Sequence, residues 1–392
     1  MTEHHTPPKI RILFALRALW LGGVEVALIS LMNRMDFDRC EVSCLITERH
    51  TELAQRLDPR IRLIVCDRSD PDYRAARLYP LGLVPEHPSA LHRAFAWTAP
   101  MFRSLEARLY ARHIATKTEG RYDTAVIYDV TVAELTVRGV RADRYFMFYH
   151  HGAMGHAYHD SLGYRASEKI IVVSELICRG LQERNPKYAH KMLPIHNIID
   201  VEGILEKAEA PQTELAPDCF RIVTCARLSQ EKGVDLALRA CKILLDRGMT
   251  GFHWYFVGDG RDRKQLEDMR KELGLEDCCT FLGQRDNPYP YIKNASLYAL
   301  TSRAEANPLT PIEALVLHTP VLATNTAGSA EVLAQGKYGF LCATEPEAIA
   351  SAIQYLLQNE DVYSDYKARA ALADYITQNI EKLKKLEEQL LS

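Results

Sequence analysis

Short runs of strand-forming apolar residues alternate with helix-forming stretches along most of this chain, and that alternation limits its fold more than any other feature. Residues 10–16, 41–46, 61–66, 124–128, 145–149 and 169–174 read as strands, and the apolar-periodic stretch 24–35 behind Gly22-Gly23 reads as a helix. Strands separated by helices are joined by crossovers, so they lie parallel with helices on both faces of the sheet. Residues 192–200 close this first unit. Further strands near Arg221, Trp254, Thr280, Leu297, Val321 and Phe340 build a second. A chain of 392 residues exceeds one ordinary core and divides into two units of about 200 residues. The expected organisation is an α/β domain over 1–205, a Pro- and Glu-containing linker over 206–218, an α/β domain over 219–372, and a final segment, 373–392. That last segment forms an amphipathic helix with Tyr375, Ile376, Ile380, Leu383, Leu386 and Leu390 on one face.

Candidate chemistry concentrates where Glu305 and Glu313 stand eight positions apart across a loop-to-helix junction. Pro308 and Pro311 suit a loop entering a first helical turn, and Asn307 or Thr310 is placed to cap it. A helix N-terminus offers unpaired N–H groups and partial positive charge, a seat for a nucleotide diphosphate. Glu305 then lies beside the sugar, and Glu313, more than a turn inside, reaches a ribose. Taken alone, the two read equally well as a solvated loop residue and a surface helix residue. Residues 220–235 add context with a buried strand, a loop carrying Arg227 and Lys232, and a helix start at Gly233. The planar fork of Arg227 and the mobile point charge of Lys232 together suit a pyrophosphate better than a single carboxylate. A strand ending in Val257-Gly258-Asp-Gly260 lies between the two motifs; its missing third glycine makes it a weak dinucleotide signal.

These residues resemble the family 4 retaining glycosyltransferases, the group 1 type, which have the GT-B fold of two Rossmann-like doubly wound domains facing a cleft. The resemblance rests on Glu305 and Glu313, on Arg227 to Gly233, on Val257 to Gly260, on Phe281-Leu-Gly283, on Thr324 to Leu333, and on the turn Leu21-Gly22-Gly23-Val24-Glu25. It implies that Arg227 and Lys232 stabilise a departing diphosphate, that Glu305 holds donor sugar hydroxyls, and that Glu313 holds the ribose. It also implies a donor pocket including Gly22, Gly23, Gly258, Ala306, Asn307, Pro308, Leu309 and Thr310. A site histidine falls in Tyr149-His150-His151-Gly152, with His150 and His151 both eligible. No metal or other cofactor is expected, the nucleotide-sugar being a substrate, and the final helix is expected to cross back onto the first domain. Three positions depart from the pattern: Ala306 and Ala327 replace glycines, and His318 stands where a glycine usually ends the helix.

Composition narrows the partners. Net charge is −3 and favours none in bulk. Between Tyr73 and Tyr122, eight Lys or Arg stand against three Glu, with aromatic residues interleaved. That segment suits an anionic bilayer or a lipid-linked diphosphate acceptor, and equally an ordinary helix pair. It matches no nucleic-acid module. Residues 1–8 lack the apolar core of a signal peptide, and no run is long enough to span a bilayer. The expectation is a cytoplasmic protein, at most peripheral on the inner face of the membrane. Ten cysteines are scattered without a CxxC; the closest sets, Cys40/Cys44 and Cys278/Cys279, have no histidine cluster at metal spacing, and most, as Cys44, Cys66 and Cys225 do, read as small core residues. Asp70-Pro-Asp72 has the DxD form of a metal site but reads as a turn, and His156, His159 and Asp160 near His150 make a weak cluster. The expected function is transfer from a nucleotide-sugar, UDP-linked first, to a glycan or polyprenyl-linked acceptor of the cell surface. The alternatives are a sugar-nucleotide epimerase, an inverting transferase, and a non-catalytic nucleotide-sugar-binding subunit.

Overall fold

The structure is a computed structural model that describes residues 8–69, 99–151, 162–212, 214–216 and 218–391. Asp70, Asp72, Gly152, His156, His159, Asp160 and much of the basic segment lie outside these residues. Two sheets, wholly parallel in their described pairings, make the frame. The first contains β1 (Ile10–Leu16), β2 (Cys40–Ile46), β3 (Arg62–Val65), β4 (Tyr122–Ile127), β5 (Ala142–Tyr149), β6 (Lys169–Val172) and β7 (Met192–Pro194), in the order β3-β2-β1-β4-β5-β6-β7. The second contains β8 (Phe220–Cys225), β9 (Phe252–Val257), β10 (Cys279–Gly283), β11 (Leu297–Leu300), β12 (Val321–Thr324) and β13 (Phe340–Cys342), in the order β10-β9-β8-β11-β12-β13. In each sheet the order reverses beside its first strand, between β1 and β4 and between β8 and β11. Loops leaving the carboxyl ends there diverge to opposite faces and open a crevice for a ligand.

The division between the cores falls at a single step of the chain. Ile195 and Ile198 pack in the first core, whereas Ile199, Val201 and Ile204 pack in the second. The stretch expected as a linker also joins the second core through the buried side chains of Ala208 and Leu215. The last helix, Tyr375–Leu390, starts against the second core at Tyr375 and places Leu386 and Leu390 in the first. Hydrogen bonds anchor it there: Thr124 Oγ1 donates to Leu390 O at 3.1 Å, and Lys385 Nζ to Pro194 O at 3.2 Å. The apolar face anticipated for this helix needs one correction, because Ile380 is 63% exposed. Its neighbour Asn379 is buried instead, donating from Nδ2 to Ile199 O at 2.9 Å and accepting at Oδ1 from Ile199 N at 3.4 Å. The slot faces backbone at the domain junction, so an amide fits it better than a hydrocarbon.

Candidate active site

The loops after β8 and β11 are stitched together at the crevice of the second sheet. Gly233 holds φ +63°, and a Cβ there would lie 2.1 Å from Thr301 O, so only glycine lets the two loops approach. Arg303 N donates to Glu231 O at 2.8 Å, and its guanidinium grips Asp235 through two contacts of 2.7 Å. This frame brings Lys232 and Glu305 together. Lys232 Nζ donates to Glu305 Oε1 at 2.7 Å, and Ser302 Oγ donates to the same oxygen at 2.6 Å. Glu305 is buried, and the Lys232 side chain is only a quarter exposed. A short hydrogen-bonded pair in such a place fixes both side chains in direction. Behind it, Gly328 N donates to Glu305 O at 3.1 Å, so the Thr324–Glu331 stretch supports the same loop.

Arg227 stands apart from that pair. It is largely exposed and donates to Glu231 Oε1 at 2.9 Å on the rim of the crevice. Gly258 backs the same loop from behind, packed against Ala226 O.

The helix Leu309–Val316 begins beside the Glu305 loop with Pro308 as N-cap and no side-chain cap. Neither residue expected to cap it does so. The Tyr298 hydroxyl lies 2.6 Å from Thr310 Oγ1, and Asn307 turns to the first domain, where Oδ1 accepts from Asn197 N at 3.1 Å. The helix N–H groups are thus left without a side-chain acceptor, as an anion seat requires. Ala306 packs in the first-domain core. Glu313 is neither solvated nor on the surface. Burial pushes its carboxyl up to about 7, opposed by a hydrogen bond to Tyr289. It lines a cavity of about 90 Å³ with Leu309 and Tyr289 from its own domain and Val26, Ile29 and Arg56 from the other.

The first domain meets this assembly through the turn before helix Gly23–Met32. Gly22 is its N-cap, and a Cβ on Gly23 would lie 4.0 Å from Leu309 Cδ1 across the junction. On that helix Glu25 is raised to about 7, first by burial and further by Asp129, with Arg227 of the opposite domain acting against the shift. Glu25 and Asp129 were not among the expected site residues. Asp129 follows the carboxyl end of β4, the position where crevice residues fall, so a signal was available. His150 packs between Tyr128 and Phe148, with ring centroids 4.5 and 5.7 Å away. Burial pulls its imidazole down to about 3, and Nε2 has no hydrogen-bond partner. A neutral ring with a free nitrogen can hydrogen-bond a hydroxyl. His151 packs edge-on against Tyr149 at 5.5 Å.

A clasp that the sequence did not reveal joins the domains. Glu331, on the second-domain helix Ala327–Val332, reaches the first-domain helix Glu175–Arg184. Its carboxylate accepts from Ser174 Oγ at 2.6 Å, Glu175 N at 2.7 Å and Leu176 N at 3.3 Å, and it contacts His196 Nε2. These partners hold it down to about 2 although burial acts against them. A carboxylate at a helix N-terminus also meets the positive end of the helix dipole.

Comparison with known proteins agrees with this geometry. Residues 206–376 match the family model described as glycosyl transferases group 1. A Haemophilus influenzae protein named as a glycosyltransferase is 29% identical over 159 residues, 39% of this chain and 44% of that one. A Campylobacter jejuni protein named N-acetylgalactosamine-N,N'-diacetylbacillosaminyl-diphospho-undecaprenol 4-alpha-N-acetylgalactosaminyltransferase is 27% identical over 178 residues, 45% of this chain and 47% of that one. The alignments thus span about half the length of these curated relatives. Among solved structures, Anabaena Alr3699/HepE in complex with UDP and glucose superimposes with a TM-score of 0.67 at 20% identity, covering 96% of this chain and 99% of that one. Residues 206–376 therefore match the group 1 glycosyltransferases, and the chain as a whole has the GT-B fold.

Proposed function

We propose that this protein is a retaining glycosyltransferase that moves a sugar from a nucleotide-sugar, a UDP-sugar first, to a glycan or polyprenyl-diphosphate-linked acceptor in cell-surface polysaccharide synthesis such as a capsule. One observation carries the reading: Lys232 is clamped on Glu305 at 2.7 Å at the reversal point of the second sheet, with Arg227 on the rim of the same crevice. Glycosyl transfer passes through an oxocarbenium-like state while negative charge gathers on the departing diphosphate. A fixed cation acts most strongly as that charge builds, so it lowers the barrier beyond tightening binding. Lys232 and Arg227 fill this role in the proposal without a metal ion, and Glu305 holds the donor sugar.

Support for a UDP-sugar comes from the Anabaena protein, which holds UDP and glucose. The name of the Campylobacter protein supports a polyprenyl-diphosphate acceptor. The acceptor takes the cleft side of the first domain. A cavity of about 250 Å³ lies there at the carboxyl ends of its strands, lined by Arg17, Thr47, Glu48, Asp67, Arg68 and Tyr110. Arginines, carboxylates and an aromatic ring together suit a sugar with a charged group. No helix among the described residues is long and apolar enough to cross a membrane. The proposal therefore has the protein acting in the cytoplasm, peripherally at the inner face of the membrane when the acceptor is lipid-linked.

The test is binding and hydrolysis of a panel of UDP-, GDP- and ADP-sugars in EDTA, with Glu305→Gln and Lys232→Ala alongside. Turnover of one donor, lost in both variants, is expected. Binding to no donor, or only after a divalent metal is added, contradicts the proposal.

A further inference from the structure

Three cysteine side chains meet at the edge of the second domain opposite the crevice. Cys241 lies on the helix Val234–Asp246, Cys278 closes the turn before β10, and Cys279 opens that strand at its amino end. Successive residues along a strand point to opposite faces. Here Cys278 N and Cys279 N both donate to Leu275 O, at 3.2 and 2.9 Å, and the tight turn aims both sulfurs at Cys241. Cys241 Sγ lies 3.4 Å from Cys278 Sγ and 3.3 Å from Cys279 Sγ. Cys241 and Cys279 are fully buried, and Cys278 is 8% exposed, which leaves an approach from solvent. Among the described residues this is the one group of three or more His, Cys, Asp or Glu whose ligand atoms lie within 4.8 Å of one another.

A buried cysteine is ordinarily a small apolar filler, but a partly unpaired guanidinium accompanies this trio. Arg270 donates from Nη1 to Cys279 O at 3.0 Å, and its buried Nε has no acceptor.

We propose that Cys241, Cys278 and Cys279 bind a thiophilic d10 cation, Zn²⁺ or Cu⁺, at a site separate from the crevice. Binding releases three protons, forms three metal–sulfur bonds and transfers no electron. Zinc–sulfur bonds of about 2.3 Å in a tetrahedron set sulfurs roughly 3.8 Å apart, so the trio opens by a few tenths of an ångström. Zinc then needs a fourth ligand, which water supplies at the exposed edge of Cys278. Soft thiolates also select Cu⁺, and three of them hold it without a fourth ligand.

The test uses the whole protein, stripped by chelator and kept anaerobic with a phosphine reductant. It is titrated separately with Zn²⁺ and with Cu⁺ against a competing colorimetric chelator. One equivalent retained and a raised melting temperature are expected in the wild type, with both lost in Cys241→Ala and in Cys279→Ala. If either cysteine variant fails to fold, the wild-type stoichiometry and melting shift decide. Retention of neither ion by the wild type, with an unmoved melting temperature, overturns the proposal.

Discussion

At Glu305 a single carboxylate oxygen takes donors from Lys232 and Ser302, so its direction is set by the loops and not by solvent. Both charged residues could be picked from sequence, because each falls in a loop just after a strand. Their pairing could not, since it depends on Gly233 letting loops whose paired residues stand 73 positions apart close on each other. The expected caps at Asn307 and Thr310 failed for a similar reason. Both side chains are engaged elsewhere, one of them across the domain junction. His318 shows the reverse case, a departure visible in sequence whose consequence the backbone explains. It holds φ +57° after helix Leu309–Val316, where His318 N donates to Leu315 O and Thr319 N to Ala314 O in a Schellman turn. A residue with a Cβ pays about 1–2 kcal/mol in that conformation. His318→Gly should therefore raise stability in urea unfolding by about 1 kcal/mol; a loss would show that the ring makes contacts outweighing the backbone cost.

Strands and helices were the most legible elements, because short apolar runs between breakers have few other solutions. All six strands expected in the second domain are present. Ile380 was misplaced because an apolar residue at the right helical spacing is not thereby buried, and the Asn379 slot is set by the backbone of a distant residue. The Glu331 clasp was equally hidden, since Ser174 and His196 come from the other domain. Its carboxyl sits at about 2 instead of 4.5 and its side chain is 13% exposed, which corresponds to stabilisation on the order of 3 kcal/mol. A depressed acid contributes fully above its unfolded value and loses that contribution as pH falls toward its folded one. Glu331→Gln should therefore be less stable than wild type by a constant amount from pH 7 to 5, with the gap shrinking below 4.5. Urea titrations across that range check it, and a gap independent of pH would remove the carboxylate's charge from the explanation.

Over the whole molecule, two parallel α/β units were readable from alternation and length, and their facing crevice only through the family resemblance. The way the domains hold together was not. It rests on the chain step between Ile198 and Ile199, on the Glu331 clasp, and on the return of the last helix to the first core. Leu386 is 1% exposed within that core. Leu386→Ala should cost about 2–5 kcal/mol in denaturant unfolding, and a cost below 1 kcal/mol would mean that the helix docks only loosely. The central claim is that a fixed cation, Lys232, carries the charge leaving with the diphosphate. Its most direct test is kcat and KM of Lys232→Ala in EDTA, on whichever donor the wild type turns over. The account predicts kcat reduced about a hundredfold, a barrier rise of roughly 3 kcal/mol, with KM within a few-fold of wild type. An unchanged kcat with only a raised KM would contradict it, because Lys232 would then hold the donor without acting on the transition state.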